Sequence, residues 1–331
     1  MALPYRTARA IVGIVKESTP YTFLEPAAVD SFHAVNIGFS PSAQLYERKD
    51  TRAHFGLLDA LPGSAEADIT FEIPLVGAAA GVAAFWDAAM LACGHSRTVA
   101  TTTSVTYKPT TIFDGTTSGT TPNIITQPGE VYSVAIWEEG NGPRYAISGA
   151  QGNFSLSSKQ GEPLIGKFKF HGAYVTVADD ATPPTVTDSI VVPPVCLGAT
   201  MSVHGVSTLA FDGFDFDKGN VLSKRGDISQ ASGVRGAWIT AHKPMIKISP
   251  EMVSVATLDF YLKWRQGTAG AFTTGTIGTT AGNRFNFTAP RTQFRDLGLA
   301  DREGARVADL GLACTTLGTD VSGLDYNLLI T

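Results

Sequence analysis

Charge is scarce in this chain of 331 residues: only 17% is Asp, Glu, Lys or Arg, against about 25% in an ordinary soluble domain. Two explanations fit together. Surface is hidden against partners, because obligate interfaces are depleted in charge, or the surface is polar, uncharged and rich in Thr and Ser. The charge that is present nets to −5, with no Lys/Arg run. Glu47-Arg48-Lys49-Asp50 reads as solvated surface. An acidic balance speaks against the basic footprint of a nucleic-acid grip. Cysteine is scarce too: Cys93, Cys196 and Cys314 are an odd, widely spaced set, not a disulfide framework. No apolar run approaches the ~18 residues needed to span a bilayer. The run at residues 10–15 is too short for a secretory signal. Synthesis in a reducing cytoplasm is the default, so the sequons NFS (153–155) and NFT (286–288) are expected to stay unglycosylated.

Recognisable chemistry is also missing. GEPLIGK (161–167) fits the front of a phosphate-binding loop, but Phe168 stands where Ser or Thr must hold magnesium. Pro163 removes an amide donor from any cradle. From Gly166 to Tyr174 the residues alternate, with Phe168, Phe170 and Tyr174 on one face and Lys167, Lys169 and His171 on the other, which is a strand. GNGPRY (140–145) breaks the dinucleotide fingerprint at its last glycine. FDGFDFDKGN (211–220) resembles a calcium loop, yet the twelfth position is Gly226 or Ser223 rather than a bidentate Glu. Cys93 and His95 have metal-like spacing but no partner pair, and read as a buried Cys beside a surface His. There is no G-x-S-x-G and no S-x-x-K, and GTTSG (115–119) reads as a flexible loop. The carboxylate pairs Glu138-Glu139 and Asp179-Asp180 lie beside turn residues and read as solvated. No residue is nominated as catalytic, cofactor-binding or metal-ligating, and no enzyme activity is expected.

What is plentiful is punctuation: 34 Gly and 18 Pro separate short alternating runs, which predicts a mainly β protein. The clearest runs are ADITFEI (67–73), SVTYKP (104–109), GKFKFHGAYV (166–175), FDFD (214–217), PMIKIS (244–249) and RFNFTAP (284–290). Two segments predict helices. Val82, Phe85, Trp86, Ala89, Met90 and Cys93 share one helical face, with Gly94 as the closing residue. The second helix starts from Ser249 as N-cap, with Pro250 and Glu251 in its first turn, and closes at Gly267.

Length suggests two domains, with one large β domain as the rival. The Pro-rich stretch 177–194 reads as a linker between residues 1–176 and 195–331. Both sides show the same order: a charged corner, a strand ending in Pro, an aromatic-bearing helix, a Thr-rich loop and a second strand ending in Pro. This predicts two tandem copies of one β-rich unit, each with a single helix.

Three segments carry a resemblance to a known family. One is AISGAQGNFSLSSKQGEPLIGKFKFHG (146–172). Another is FDKGNVLSKRGD (216–227) leading through GVRGAWITAHKPMIKISPEM (233–252). The third is the C-terminal stretch from GNRFNFTAP (282–290). In order and spacing they resemble the tail tube proteins of long-tailed, siphovirus-type bacteriophages. The resemblance implies β-sandwich or split-barrel units flanked by a helix, with inner sheets joined around a ring. Stacked rings would form a hollow conduit for the genome and the tape-measure protein, neither of them specifically bound. It also implies terminator and distal-tail proteins at the ends, no membrane, and a place in the virion tail. A two-copy chain would close a pseudo-sixfold ring from three subunits, with a homohexamer as the alternative. Residues 110–130 are the candidate stacking loop. Another tail component, such as a terminator, distal-tail or adhesin-like β module, remains the rival reading. The basic edge Lys167, Lys169 and His171 is expected either to lie outside the lumen or to be paired with carboxylates.

Overall fold

Alternation becomes strand along most of the chain. The computed structural model describes residues 10–48, 58–110, 113–114, 123–124, 130–138, 142–180, 182–186, 191–316 and 325–331. The candidate stacking loop, GTTSG and Glu139 fall wholly or largely outside them. The first half contains β1 (Ile11–Lys16), β2 (Ser31–His33), β3 (Val35–Tyr46), β4 (Leu61–Pro74), α1 (Asp87–Ala92), β5 (His95–Ala100), β6 (Ser104–Pro109), β7 (Phe113–Asp114), β8 (Asn123–Ile124), β9 (Tyr132–Trp137), β10 (Pro143–Lys159) and β11 (Ile165–Asp179). The second half contains β12 (Ser202–Val203), β13 (Gly213–Asp217), β14 (Asn220–Gly226), β15 (Val234–His242), β16 (Met245–Ile248), α2 (Phe260–Gln266), β17 (Gly270–Thr273), β18 (Phe285–Arg302), β19 (Ala305–Cys314) and β20 (Asn327–Ile330). The fold is mainly β, as the alternation predicts.

One 16-stranded sheet system runs through both halves. Its backbone is the path β3-β4-β11-β10-β13-β16-β19-β18, in which each neighbour is antiparallel. The long strands β10 and β18 also leave this path at their N-terminal ends. There β10 pairs β9, and β18 pairs β17 and β20. Register shifts at Ser148/Gln151 and Phe294/Asp296 mark the bends, where an extra residue kinks a strand. Glu17 supports the first bend. Its buried carboxylate accepts from Gly149 N at 2.7 Å and Ser133 Oγ at 2.9 Å. Gly149, at φ 58°, lies so close to Gly236 that a Cβ on either would overlap the other's backbone.

Each half contains an apolar ladder across three strands. In the first, Phe71, Phe168 and Phe154 stand opposite one another on β4, β11 and β10. In the second, Ile246, Leu312 and Phe294 do so on β16, β19 and β18. All six are buried in one shared core. Rings run through it without a break, from Phe71 to Phe168, Phe154, Phe216 and Phe287. At the seam, Ser155–Lys159 of β10 pairs with Asp217–Gly213 of β13.

Both helices are shorter than periodicity alone predicts. Residues 82–84 are irregular, 85–86 form a turn, and α1 begins only at Asp87. Gly94 does take the left-handed conformation, at φ 73°. For α2 the cap is Asp259, whose side chain accepts from Leu262 N at 2.8 Å, and not Ser249. Pro250 to Met252 instead pair with β19: Ala308 N donates to Pro250 O, and Met252 N donates to Arg306 O. A sheet partner thus takes the backbone that the cap signal assigned to a helix. Gly267 closes α2 at φ 62°, as predicted.

Beyond β13 the chain crosses the end of α1. Lys218, only 2% exposed, donates from Nζ to Cys93 O and Gly94 O, both at 2.5 Å. Asn220 adds a bond to Cys93 O at 2.9 Å and another to Gly152 O at 2.7 Å. A cation at the carbonyl end of a helix is favoured by its dipole. Burial nevertheless pushes the Lys218 ammonium down to about 7. The folded protein therefore releases this proton before the unfolded chain does, and stability rises with pH across that interval. Between about pH 7 and pH 10, urea unfolding should show the wild type gaining stability relative to Lys218→Met. Parallel pH profiles for the two proteins would contradict this.

Candidate functional site: the polar face of the sheet

Period-two alternation gives the sheet path two unlike faces. One is the shared core. The other carries Glu66, Asp68, Thr70 and Glu72 on β4, Lys167, Lys169 and His171 on β11, Asn153, Ser155 and Ser157 on β10, Asp215 and Asp217 on β13, and Lys247 on β16. All of these are intermediate or exposed. The pairing register lines them into rows. One row reads Glu72, Lys167, Ser155, Asp217, Met245, Ala313, Gln293. The next reads Ser157, Asp215, Lys247, Gly311, Asp296.

The basic residues of β11 do not stand as a bare stripe. Lys167 Nζ lies 3.4 Å from Glu72 Oε1, and Lys169 Nζ lies 3.0 Å from Asp68 Oδ2. His171 Nδ1 reaches Asp68 Oδ1 at 2.6 Å, with Glu66 Oε2 3.6 Å from its other nitrogen. Lys224, from the β14–β15 hairpin, reaches the same Glu66 oxygen at 3.2 Å. Each such exposed pair contributes only ~0–1 kcal/mol; what the set controls is the field above the sheet. On the strands named, five carboxylates stand against three lysines and His171. Asp217 is held in place by Asn153 Nδ2 at 2.7 Å and Gly219 N at 2.9 Å.

Partial burial would raise the Asp68 carboxyl, but hydrogen bonds from His171 and Lys169, with their charges, hold it below its ordinary value. Glu66, Asp68 and Glu72 each lie against a lysine or histidine, and the neighbouring uncharged residues include Thr70, Asn153, Ser155 and Ser157. Among the described residues no group of three or more His, Cys, Asp or Glu is placed to hold a metal ion.

Sequence reasoning placed the Lys167, Lys169 and His171 face correctly but misplaced His95. His95 is not a surface residue: its exposure is 0%. Its Nδ1 donates to Met90 O at 2.9 Å, and its Nε2 accepts from Tyr326 Oη at 2.7 Å. Burial, followed by the nearby Lys218 charge, holds this imidazole neutral. Tyr326 lies 231 residues away in the chain, and no local signal identifies such a partner. Asp180, read as solvated, accepts from Trp137 Nε1 at 2.7 Å. Cys93 and Cys314 are buried, and burial pushes both thiols up. No helix among the described residues is long and apolar enough to cross a membrane.

A family model described as "Phage tail tube protein" matches residues 7–311. No curated protein matches the chain.

Because the folded Asp68 carboxyl titrates below the unfolded one, its stabilising contribution is complete above the ordinary Asp value of 3.8 and is lost as pH falls below it. Between about pH 5 and pH 2, the wild type should lose more stability in urea than Asp68→Asn. Equal losses would show that the cluster contributes nothing to acid sensitivity.

Proposed function

The chain belongs to the phage tail tube protein family and is a structural subunit of the tail tube in the virion; from that premise we propose that three copies close each ring of the tube. In this reading residues 1–176 and 195–331 are two tandem tube-like units joined by the linker 177–194. The three chains form a pseudo-sixfold ring, and rings stack into a conduit. The chain's role is structural rather than catalytic. The tape-measure protein and double-stranded DNA occupy the lumen without specific binding, and terminator and distal-tail proteins sit at the ends.

The observation that carries this reading is the seam between β10 and β13. It joins the two matching apolar ladders into one sheet whose other face is polar, with the β11 cations paired to β4 carboxylates. A wall of that kind suits a duct for DNA, because free Lys and Arg would release counterions from the phosphates and hold the duplex.

Strand spacing favours three chains over six. The path β3-β4-β11-β10-β13-β16-β19-β18 supplies eight strands per chain. At ~4.8 Å per strand, three chains give a ring about 37 Å across between backbones, before strand tilt widens it. That leaves room for a B-form duplex with side chains projecting inward. Six chains would double the diameter and leave a bore far wider than the duplex.

Negative-stain microscopy and solution mass measurement of the purified protein should show rings or tubes built from trimers. Hexameric rings would overturn the stoichiometry, and a monomer at every concentration and salt would overturn the ring. In assembled tubes, Asp68→Asn combined with Glu72→Gln should create salt-sensitive DNA retention that the wild type lacks. No gain in retention would show that this face does not line the lumen.

A further inference from the structure

The sheet path ends in two open edges. β3 pairs with β4 on one side and with no strand on the other, among the described residues. The C-terminal part of β18 pairs with β19 on one side, while β17 covers the opposite edge only as far as Thr292. An open edge displays unpaired N–H and C=O groups and accepts another strand. The seam inside the chain shows what such an edge takes.

The two apolar ladders fix the correspondence. Phe154 on β10 matches Phe294 on β18, since each stands at the end of a buried three-residue ladder. Beyond Phe154, Ser155–Lys159 pairs with β13. Beyond Phe294 and the bulge at Arg295, the matching residues 296–300 have no strand on that edge among the described residues. β13 lies outside β16, just as β3 lies outside β4. β3 is therefore the strand that matches β13.

Side chains agree with this match. At the seam Ser158 stands opposite Phe214 and is only 7% exposed. Its counterpart on β18 is Leu299, which is 54% exposed. Beside it α2 presents Tyr261, Leu262 and Trp264 to solvent, and the Trp264 indole donates to Arg295 O at 3.2 Å, at the bulge that begins the open edge. In the first half, the end of α1 is covered by Lys218 and Asn220, which follow β13. The exposed face of α2 is thus the place where the equivalent cover is absent. A contiguous apolar patch beside an unpaired strand edge marks a protein-binding site.

We propose that residues 296–300 of β18, with the exposed face of α2, dock the start of β3 from a second copy of this chain, antiparallel, with Leu299 opposite Ala34. The register is carried over from the seam. Phe214 stands opposite Ser158 on one side and Ile248 on the other. Ile73 is the counterpart of Ile248, and Ala34 precedes the Val35–Glu72 pair. The contact joins two different surfaces head to tail, so successive copies close into a ring or continue as a helix, according to the rotation between them. This docking rests on the ring reading above.

The test uses the full chain with Cys196→Ser, since Cys93 and Cys314 are buried. Leu299→Cys protein mixed with Ala34→Cys protein should form disulfide dimers under mild oxidation, and neither should do so alone. A chain carrying both changes should give covalent trimers. Leu299→Asp, at an exposed position, should melt like the wild type and form no rings. Rings with no cross-link between 299 and 34, or rings that persist in Leu299→Asp, would overturn this docking and leave the ring reading standing. Cross-links that build only open ladders would support the docking and overturn the closed ring. No assembly by the wild type would overturn both.

Discussion

The short ladder between Ser155–Lys159 of β10 and Gly213–Asp217 of β13 is the contact on which the rest of the architecture depends. It brings Phe216 beside Phe154, which makes one core out of the apolar faces of both halves. It also aligns the polar residues of β4 and β11 with those of β13 and β16, which makes one continuous face. A slip of a single residue would send Phe214 and Phe216 to the polar face and Asp215 and Asp217 into the core. The buried Lys218 enforces that choice. Its ammonium reaches the carbonyls ending α1 only if β13 stops at Asp217 and the chain turns across the helix. Burying a cation for this purpose costs desolvation energy, visible in its depressed proton affinity. The return is a geometric constraint, since an ammonium elsewhere in this core would have no acceptor.

Much of the fold was legible as local pattern. Alternation identified β6 to the residue, and it identified which face of β11 holds Lys167, Lys169 and His171. Glycine at 94 and 267 marked both helix ends because each position needs a left-handed backbone. Alternation states which side chains share a face; it does not state which strand lies alongside. The carboxylates on β4 that neutralise the β11 cations are about a hundred residues away in sequence, and Tyr326 is farther still from His95. The cap signal at Ser249, Pro250 and Glu251 failed for the same reason. A local preference worth ~1 kcal/mol lost to backbone pairing with β19 that only the tertiary fold provides.

In the proposed ring, closure and a lumen that does not hold DNA make opposing demands on the same strands. Edges that must pair with another copy need apolar, uncharged side chains, and those invite pairing at the wrong place. The polar face needs charges of both signs in fixed pairs, which specify register but add little stability. The charge pairs that fix register join the middle strands β4 and β11, which have neighbours on both sides; β3 carries no charged residue, while β18 carries Arg291, Arg295, Asp296, Asp301 and Arg302. The exposed apolar groups lie toward the terminal strands of the path, with Val35 and Leu45 on β3 and Leu299 on β18. In the proposed tube this accounts for the low charge content of the sequence, since the lumen and the neighbouring copies would then take up much of the surface.

In the proposed reading, carrying two units on one chain changes how a ring assembles. In the proposed trimer every second seam is β10 against β13, formed during folding, and only the alternate seams require an encounter between molecules. Each association carries a translational and rotational cost of roughly 4–15 kcal/mol; fusing the units removes that cost from half of the seams. The two kinds of seam are also free to differ. The internal one is tight, with Ser158 packed under Phe214 and a buried lysine at its end. The external one places Leu299 and the α2 aromatics at a surface that must stay soluble until a partner arrives. A chain with one unit would have to use a single compromise for both, whereas here the permanent seam can be rigid and the assembling seam can remain reversible until the ring closes.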